Sequence, residues 1–261
     1  MEQVAGENFD NGMATWQEYQ AAPWGRLRYG IARANLESHL PSPPAYILDL
    51  GGGNGFDAVP LAKDGFAVSV IDFSQEMIAQ GKRLAEAEGV ADKMAFAVGD
   101  AMQLADQFSQ PTFDAVLCHN VLQYVVEPTA VLTSIHNLLK PNGVLSLIIT
   151  NPHTETFGFA LREYDMQAAL ENIDKRTKYV APFDTTIQRY TDSELITMLN
   201  STGFSVEAQY GIRCVCDFVA DNERKFDPDF YEQLEELEMA LRDKRPYISL
   251  ARFYHFVGEK E

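Results

Sequence analysis

The sequence is short of positive charge. Its 261 residues carry 21 Lys+Arg against 38 Asp+Glu, a formal net charge of −17. An acidic surface repels polyphosphates at long range, so a nucleic-acid partner would need a local basic stripe within an acidic total. Cysteine is scarce too: Cys118, Cys214 and Cys216 are an odd number in a large chain and build no disulfide framework. Long hydrophobic runs are missing, since the most apolar one, Val144 to Ile149, falls far short of the ~20 residues a membrane-spanning helix needs. The opening Met-Glu-Gln-Val-Ala-Gly-Glu-Asn has neither a basic nor an apolar signal region, so the expectation is a cytoplasmic protein with no membrane partner. Internal repeats and low-complexity tracts are lacking as well. What is present is an ordinary globular composition, 46% hydrophobic and 23% charged, which excludes wholesale disorder. The length suits one large domain or a domain with a subordinate lid.

From about residue 45 to 150, short apolar runs alternate with helical stretches. Ala45 to Leu50 reads as a buried strand, ended by the glycines of 51–55, and a helix follows to about Asp64 with Gly65 past its end. Ala67 to Asp72 is the second strand, and Ser74 caps a helix to about Glu88. Met94 to Val98 and Phe113 to Cys118 are strands, Pro128 to Leu139 is helical, and Pro141-Asn-Gly143 turns into the strand Val144 to Thr150. This alternation predicts an α/β fold with a doubly wound, mainly parallel, seven-stranded sheet. In the tail, Thr191-Asp-Ser-Glu194 is a capping box for a helix to about Asn200. Phe204 to Tyr210 and Ser249 to Gly258 read as an antiparallel pair at the sheet edge, separated by a helix from Asp229 to Arg242. The whole chain 1–261 is then one domain. Residues 1–40 form a helical cap bearing Trp16, Tyr19 and Trp24, 41–150 a cofactor-binding core, 151–190 a lid or substrate insertion without clean period, and 191–261 the rest of the sheet.

The chemistry centres on Asp49-Leu-Gly51-Gly52-Gly53-Asn-Gly55, glycines at alternate positions between a strand and a helix. Open α/β sheets bind ligands outside the carboxyl ends of their strands. Asp72, 21 residues beyond Gly51 at the end of the second strand, stands where a carboxylate binds ribose hydroxyls, and Gly99-Asp100-Ala101 after the third strand can flank an adenine. A dinucleotide fingerprint spaces its glycines G-x-G-x-x-G to admit a pyrophosphate. Here the spacing is G-x-G-x-G with Asp57 in the helix start, which repels a pyrophosphate and disfavours an NAD-dependent oxidoreductase. S-adenosylmethionine carries no phosphate; its amino-acid end and ribose need close backbone approach and acidic acceptors.

These motifs resemble the class I S-adenosylmethionine-dependent methyltransferases. Several runs are similar, more narrowly, to the tRNA 5-carboxymethoxyuridine methyltransferase family: Gly25-Arg-Leu-Arg28, Leu48 to Gly53, Asp72-Phe73-Ser74 with Met77, and Leu117-Cys-His119 with Val121-Leu122. In the tail they are Gly211-Ile-Arg213, Asp217-Phe218, Glu235 to Glu238, and Pro246-Tyr-Ile248 with Arg252 and His255. The resemblance runs from about residue 20 to the end and departs from the family at 160–186, where an expected lysine-rich stretch is reduced to Lys175, Arg176 and Lys178. It implies S-adenosylmethionine as cofactor, with the methionine carboxylate on Arg28, and transfer to a wobble-uridine carboxylate in tRNA. The candidate cofactor residues are Arg28, Asp49, Gly51, Gly52, Gly53, Asp72, Phe73, Asp100, Ala101 and His119.

A carboxylate acceptor is already ionised at pH 7 and needs no general base, so the site needs cations or donors that hold it; Tyr124, His153, Arg213 and Arg252 are the candidates. A neutral hydroxyl or amine acceptor would need a base, with His119 or His153 first in line. Cys214, Cys216 and His255 suggest a metal, but C-x-C on a strand reads better as two buried inert thiols, so no metal is expected. Arg213 and Arg252 have a structural alternative, pairing with the acidic helix 227–238. Partners are thus tRNA or a small-molecule carboxylate; a degenerate binding protein with a scaffolding role is disfavoured by the intact loop. A basic stripe uniting Arg26, Arg28, Lys175, Arg176, Lys178 and Arg189 would favour tRNA, and a closed pocket with an acidic rim a small metabolite.

Overall fold

A computed structural model describes residues 15–104, 108 and 110–261; the first part of the expected N-terminal cap, residues 1–14, lies outside the described residues. Residues 15–21 are helical and run into helix α1, Pro23–Leu36, with Pro23 in the first turn where a missing N–H costs nothing. Strand β1, Tyr46–Leu50, is buried except at its first residue, as a strand covered on both faces must be. It leads through the glycine loop to α2, Ala58–Lys63, and on to β2, Ala67–Asp72. Ser74 Oγ accepts the Met77 N–H and opens α3, Gln75–Ala87; β3, Met94–Val98, and β4, Phe113–His119, follow. Helix α4, Pro128–Leu138, passes directly into β5, Leu139–Thr150, with Asn142 at φ 61° in the turn.

The segment 151–190 folds as two short helices, α5 (Thr154–Leu161) and α6 (Met166–Asn172), and a separate antiparallel hairpin of β6 (Thr177–Val180) and β7 (Thr185–Gln188). The Thr191 capping box opens α7, Asp192–Ser201, before β8, Phe204–Ile212. Helix α8, Pro228–Leu241, precedes a single helical turn α9, Tyr247–Leu250, and β9, Phe253–Lys260.

The seven-stranded sheet has the order β3-β2-β1-β4-β5-β9-β8, parallel from β3 to β5 and antiparallel through β9 and β8. This is the doubly wound arrangement that the alternating runs imply. The last strand departs from expectation. Residues 249–252 leave it because Ile248 and Ala251 are the buried positions, a spacing of three that suits a helical turn rather than alternation. One face of the sheet packs on α4 and α7 through Leu132, Ile135, Leu195 and Phe204. The other packs on α2 and α3 through Ala62 and Ile78, and on α1 through Leu27, Ile31 and Ala32 against Ile148, Ile212 and Phe253. No helix among the described residues is long and apolar enough to cross a membrane.

Candidate active site

The carboxyl ends of β1, β2, β4 and β5 open into a cavity of about 570 Å³, lined on its other sides by residues 15–20 and by the 151–190 segment. Its floor is the glycine loop. Gly51, at φ 66°, lies so close to Val121 that a Cβ would overlap it, and a Cβ on Gly52 would overlap the Asp49 carboxylate. The loop is tied on two sides. Gly53 N–H donates to Asp72 Oδ2 at 2.9 Å, and the Asn54 and Gln20 amides exchange two hydrogen bonds of 2.9 and 3.1 Å, fastening residues 15–21 to the loop. Asp72 also accepts from Ser74 N–H at 2.9 Å, so this carboxylate shapes the loop as well as lining the cavity.

Asp49 is the least satisfied group. It is 1% exposed and lines the cavity, yet neither carboxylate oxygen has a partner among the described residues. Burial, with the nearby Asp57 and Asp72 charges, pushes its pKa well up, against the opposing pull of Arg28. A ligand with a cationic, hydrogen-donating end supplies what Asp49 lacks. Gln123 Oε1 and Thr150 Oγ1 are two further buried, unpaired atoms on residues lining the cavity.

Arg28, reached from α1, is 3% exposed and donates through Nη1 to both oxygens of Asp57, at 2.7 and 2.5 Å. Among the described residues Nε and Nη2 make no hydrogen bond, so one edge of the guanidinium remains for a ligand carboxylate. Burial alone would raise Asp57, but the Arg28 and His119 contacts outweigh it and hold the carboxyl low. His119 is bonded at both ring nitrogens, Nδ1 to Asp57 Oδ2 at 2.9 Å and Nε2 to Ser146 Oγ at 2.7 Å, and burial lowers its pKa. Asp57 was legible in the sequence only as an obstacle to pyrophosphate; its partnership with Arg28, 29 positions away, left no local signal.

The upper wall carries cations. Arg252 lines the cavity with no ion pair or side-chain hydrogen bond among the described residues; its guanidinium lies 5.9 Å from the Phe253 ring, and its charge helps hold the Glu155 and Asp217 carboxyls low. Lys178 is ion-paired with Glu155, which also takes Arg189 at 3.0 Å. Arg213, at φ 63°, also lines the cavity but is fully engaged. It donates to Asp217 through Nε at 2.7 Å and Nη2 at 2.5 Å, and to Tyr19 Oη at 2.7 Å. Arg213 therefore joins the N-terminal cap to the 213–217 loop rather than facing a substrate freely. It does not pair with the acidic helix either. From α8, Glu238 instead accepts the backbone N–H groups of Cys214, Val215 and Cys216 at 2.5, 2.8 and 2.7 Å.

Of the residues read from the sequence, Arg28, Asp49, Gly51, Gly52, Gly53, Asp72, His119, Tyr124, Arg213 and Arg252 all line this one cavity. His153 does not: it is exposed at the start of α5, because Asn151 and Thr154 turn inward to the Ala251 carbonyl. Phe73, Asp100 and Ala101 also stand outside its lining, Asp100 capping the short helix after β3 through the Met102 N–H. Cys214 sits in the loop after β8 and Cys216 opens a short 3-10 turn, Cys216–Phe218, so neither is on a strand; both are buried, with thiols pushed up by burial to about 12 and about 11. No group of three metal-ligating side chains occurs among the described residues.

Fold and site together define a class I S-adenosylmethionine-dependent methyltransferase. The chain belongs to the methyltransferase-domain family, which matches residues 42–206. It is 32% identical over 242 residues to a tRNA 5-carboxymethoxyuridine methyltransferase of Escherichia coli O157:H7, covering 90% of this chain and 89% of the relative. It is also 27% identical over 190 residues to the ubiquinone biosynthesis O-methyltransferase of Rickettsia canadensis (strain McKiel), covering 72% and 73%. A solved S-adenosylmethionine-dependent methyltransferase from Thermotoga maritima shares the fold, with a TM-score of 0.67 at 16% identity over 98% of this chain and 99% of that one.

Proposed function

We propose that this cytoplasmic enzyme methylates the carboxylate of a 5-carboxymethoxyuridine in tRNA. The observation that carries the reading is Arg252, a cationic side chain lining the cavity that no carboxylate holds in an ion pair or hydrogen bond among the described residues, Glu155 and Asp217 acting on it only through their charge. The relative's activity, matched over nine-tenths of the chain, supplies the tRNA. S-adenosylmethionine supplies an electrophilic methyl group on a sulfonium, and the groups that line the cavity fit it. Arg28 would hold its carboxylate, Asp49 its cationic end, and Asp72 its ribose, over a glycine floor with no side chains in the way.

The chain's own contribution is orientation and exclusion of water, worth up to roughly 7–11 kcal/mol in ideal intramolecular cases. His119 is committed at both nitrogens, so it is unsuited to take a proton from an acceptor, and an acceptor that arrives ionised requires none. Arg252 attracts that acceptor, and Tyr124 and Thr150 line the same cavity. Residues 151–190 act as the lid, bringing Glu155, Phe159, Lys178 and Phe183 over the cavity.

A second reading, a small-molecule carboxylate acceptor, has its own support. Of the six cations of the basic stripe only Arg26 and Lys175 are exposed and outside any ion pair among the described residues: Arg28 and Arg189 are buried, while Arg176 and Lys178 are paired with Glu194 and Glu155. The deciding experiment is transfer of labelled methyl to tRNA with and without 5-carboxymethoxyuridine, at low and moderate salt. Label on the modified tRNA alone supports the first reading. Label on neither, with S-adenosylmethionine still bound in calorimetry, leaves the small-molecule reading.

A further inference from the structure

A polar seam runs through the otherwise apolar contact between α1 and the sheet. Asn35 Nδ2 meets His255 Nδ1 at 3.1 Å, His255 Nε2 meets Ser146 Oγ at 2.9 Å, Ser146 Oγ meets His119 Nε2 at 2.7 Å, and His119 Nδ1 meets Asp57. Asp57 in turn holds Arg28, which stands two helical turns before Asn35 on α1. Asn35, Ser146 and His255 are each no more than 1% exposed, and none of them lines the cavity.

The polarity of this chain follows from its members. An ionised Asp57 only accepts, so the His119 hydrogen sits on Nδ1. Neutral His119 then accepts at Nε2, and Ser146 must donate to it. The Ser146 oxygen therefore accepts from His255 Nε2–H, which leaves His255 Nδ1 to accept from an amide N–H, the group Asn35 presents. Tracing it from Asn35 gives the same order. Protonating His119 would set two N–H donors against one hydroxyl and leave the hydroxyl hydrogen without an acceptor. Burial opposes that proton in both rings, with the Arg28 charge acting the same way.

We propose that Ser146 and His255 are positioning residues of the cofactor site: their one-way hydrogen-bond chain fixes His119 in its Nδ1–H form and locks Asp57 and Arg28 in the orientation that receives the cofactor's carboxylate. The inference rests on the reading of Arg28 as that carboxylate's anchor, so the test separates the two.

Binding of S-adenosylhomocysteine is measured by calorimetry from pH 6 to 8 for the wild type, Arg28→Ala, Ser146→Ala and Tyr210→Phe. The last removes a hydroxyl bonded to His39 at 2.8 Å, in the same helix–sheet contact but outside the chain. Ser146→Ala is expected to weaken binding about tenfold, the loss growing as pH falls. With no hydrogen bond to its Nε2, His119 can take a proton there. The charged and titratable groups around it are Arg28 and Tyr29 of α1, Asp49 of β1, Asp57, and His255 of β9. Tyr210→Phe should bind as the wild type does. Long-range proton–nitrogen NMR of the wild type should show His119 as the Nδ1–H and His255 as the Nε2–H form, both neutral at pH 7. The reverse tautomer in either ring, or a Ser146→Ala profile matching Tyr210→Phe, overturns the inference. Undiminished binding by Arg28→Ala sinks the anchor reading itself.

Discussion

Asp49 and Arg252 make opposite demands on the ligands. The first is a buried carboxyl whose pKa is raised by burial and by neighbouring carboxylates. A folded-state pKa above the unfolded value means that the folded form binds the extra proton. Stability of the ligand-free protein should therefore fall as pH climbs from about 4 through the raised pKa. Asp49→Asn should flatten that dependence and stabilise the free protein at pH 8 by about 1–3 kcal/mol, while weakening S-adenosylmethionine binding at least about tenfold. Melting curves across pH, set beside calorimetry, check both halves. Arg252→Ala should leave cofactor affinity intact and cut kcat/KM for the acceptor by about 30–100-fold, the loss of one charged hydrogen bond. A drop in cofactor affinity of similar size would place Arg252 on the wrong side of the cavity.

Among the elements, the N-terminal cap is the one whose attachment can be tested most simply. A Cβ on Gly25 would overlap the Tyr19 and Gln20 carbonyls, so residues 15–21 and α1 approach each other only because glycine stands there. Gly25→Ala should push Tyr19 and Gln20 off Arg213 and Asn54, lowering thermal stability and cofactor affinity together; unchanged values for both would show that the cap is not held from this point. The elements themselves were largely legible: Ser74 and the Thr191 capping box start their helices where the sequence places them, and the glycine loop follows β1. Less legible were features that no local pattern encodes. The α9 turn depends on Ile248 and Ala251 meeting the core at helical spacing. The α5–α6 and β6–β7 folding of 151–190 depends on contacts with the cap, through Trp16 and Phe183, and with the turn at 216–218, through Phe157 and Phe218. His153 stands outside the cavity lining because the inward turn of its neighbours is a tertiary event, and Asp57 and Ser146 meet their hydrogen-bond partners only across long stretches of sequence.

Across the whole molecule the charge is −17, and the cations near the cavity are mostly engaged by carboxylates. Counterion release scales with the number of phosphates neutralised. If tRNA is the substrate, log kcat/KM against log salt should have a shallow slope, no steeper than about −3, because few unpaired cations are there to meet phosphates. A steep slope, near −6 or beyond, would require a basic surface that the described residues do not display. Flat salt dependence with turnover of a free carboxylic acid would favour the metabolite reading.

Glu238 closes the 213–217 loop around itself. Three successive amides converge on its carboxylate, forming the kind of concavity in which proteins elsewhere seat phosphates and other oxyanions. Here the seat is taken from within. Arg213 and Asp217, at the two ends of that loop, line the cavity while Glu238 does not, so a buried carboxyl on α8 shapes one wall of the site from behind.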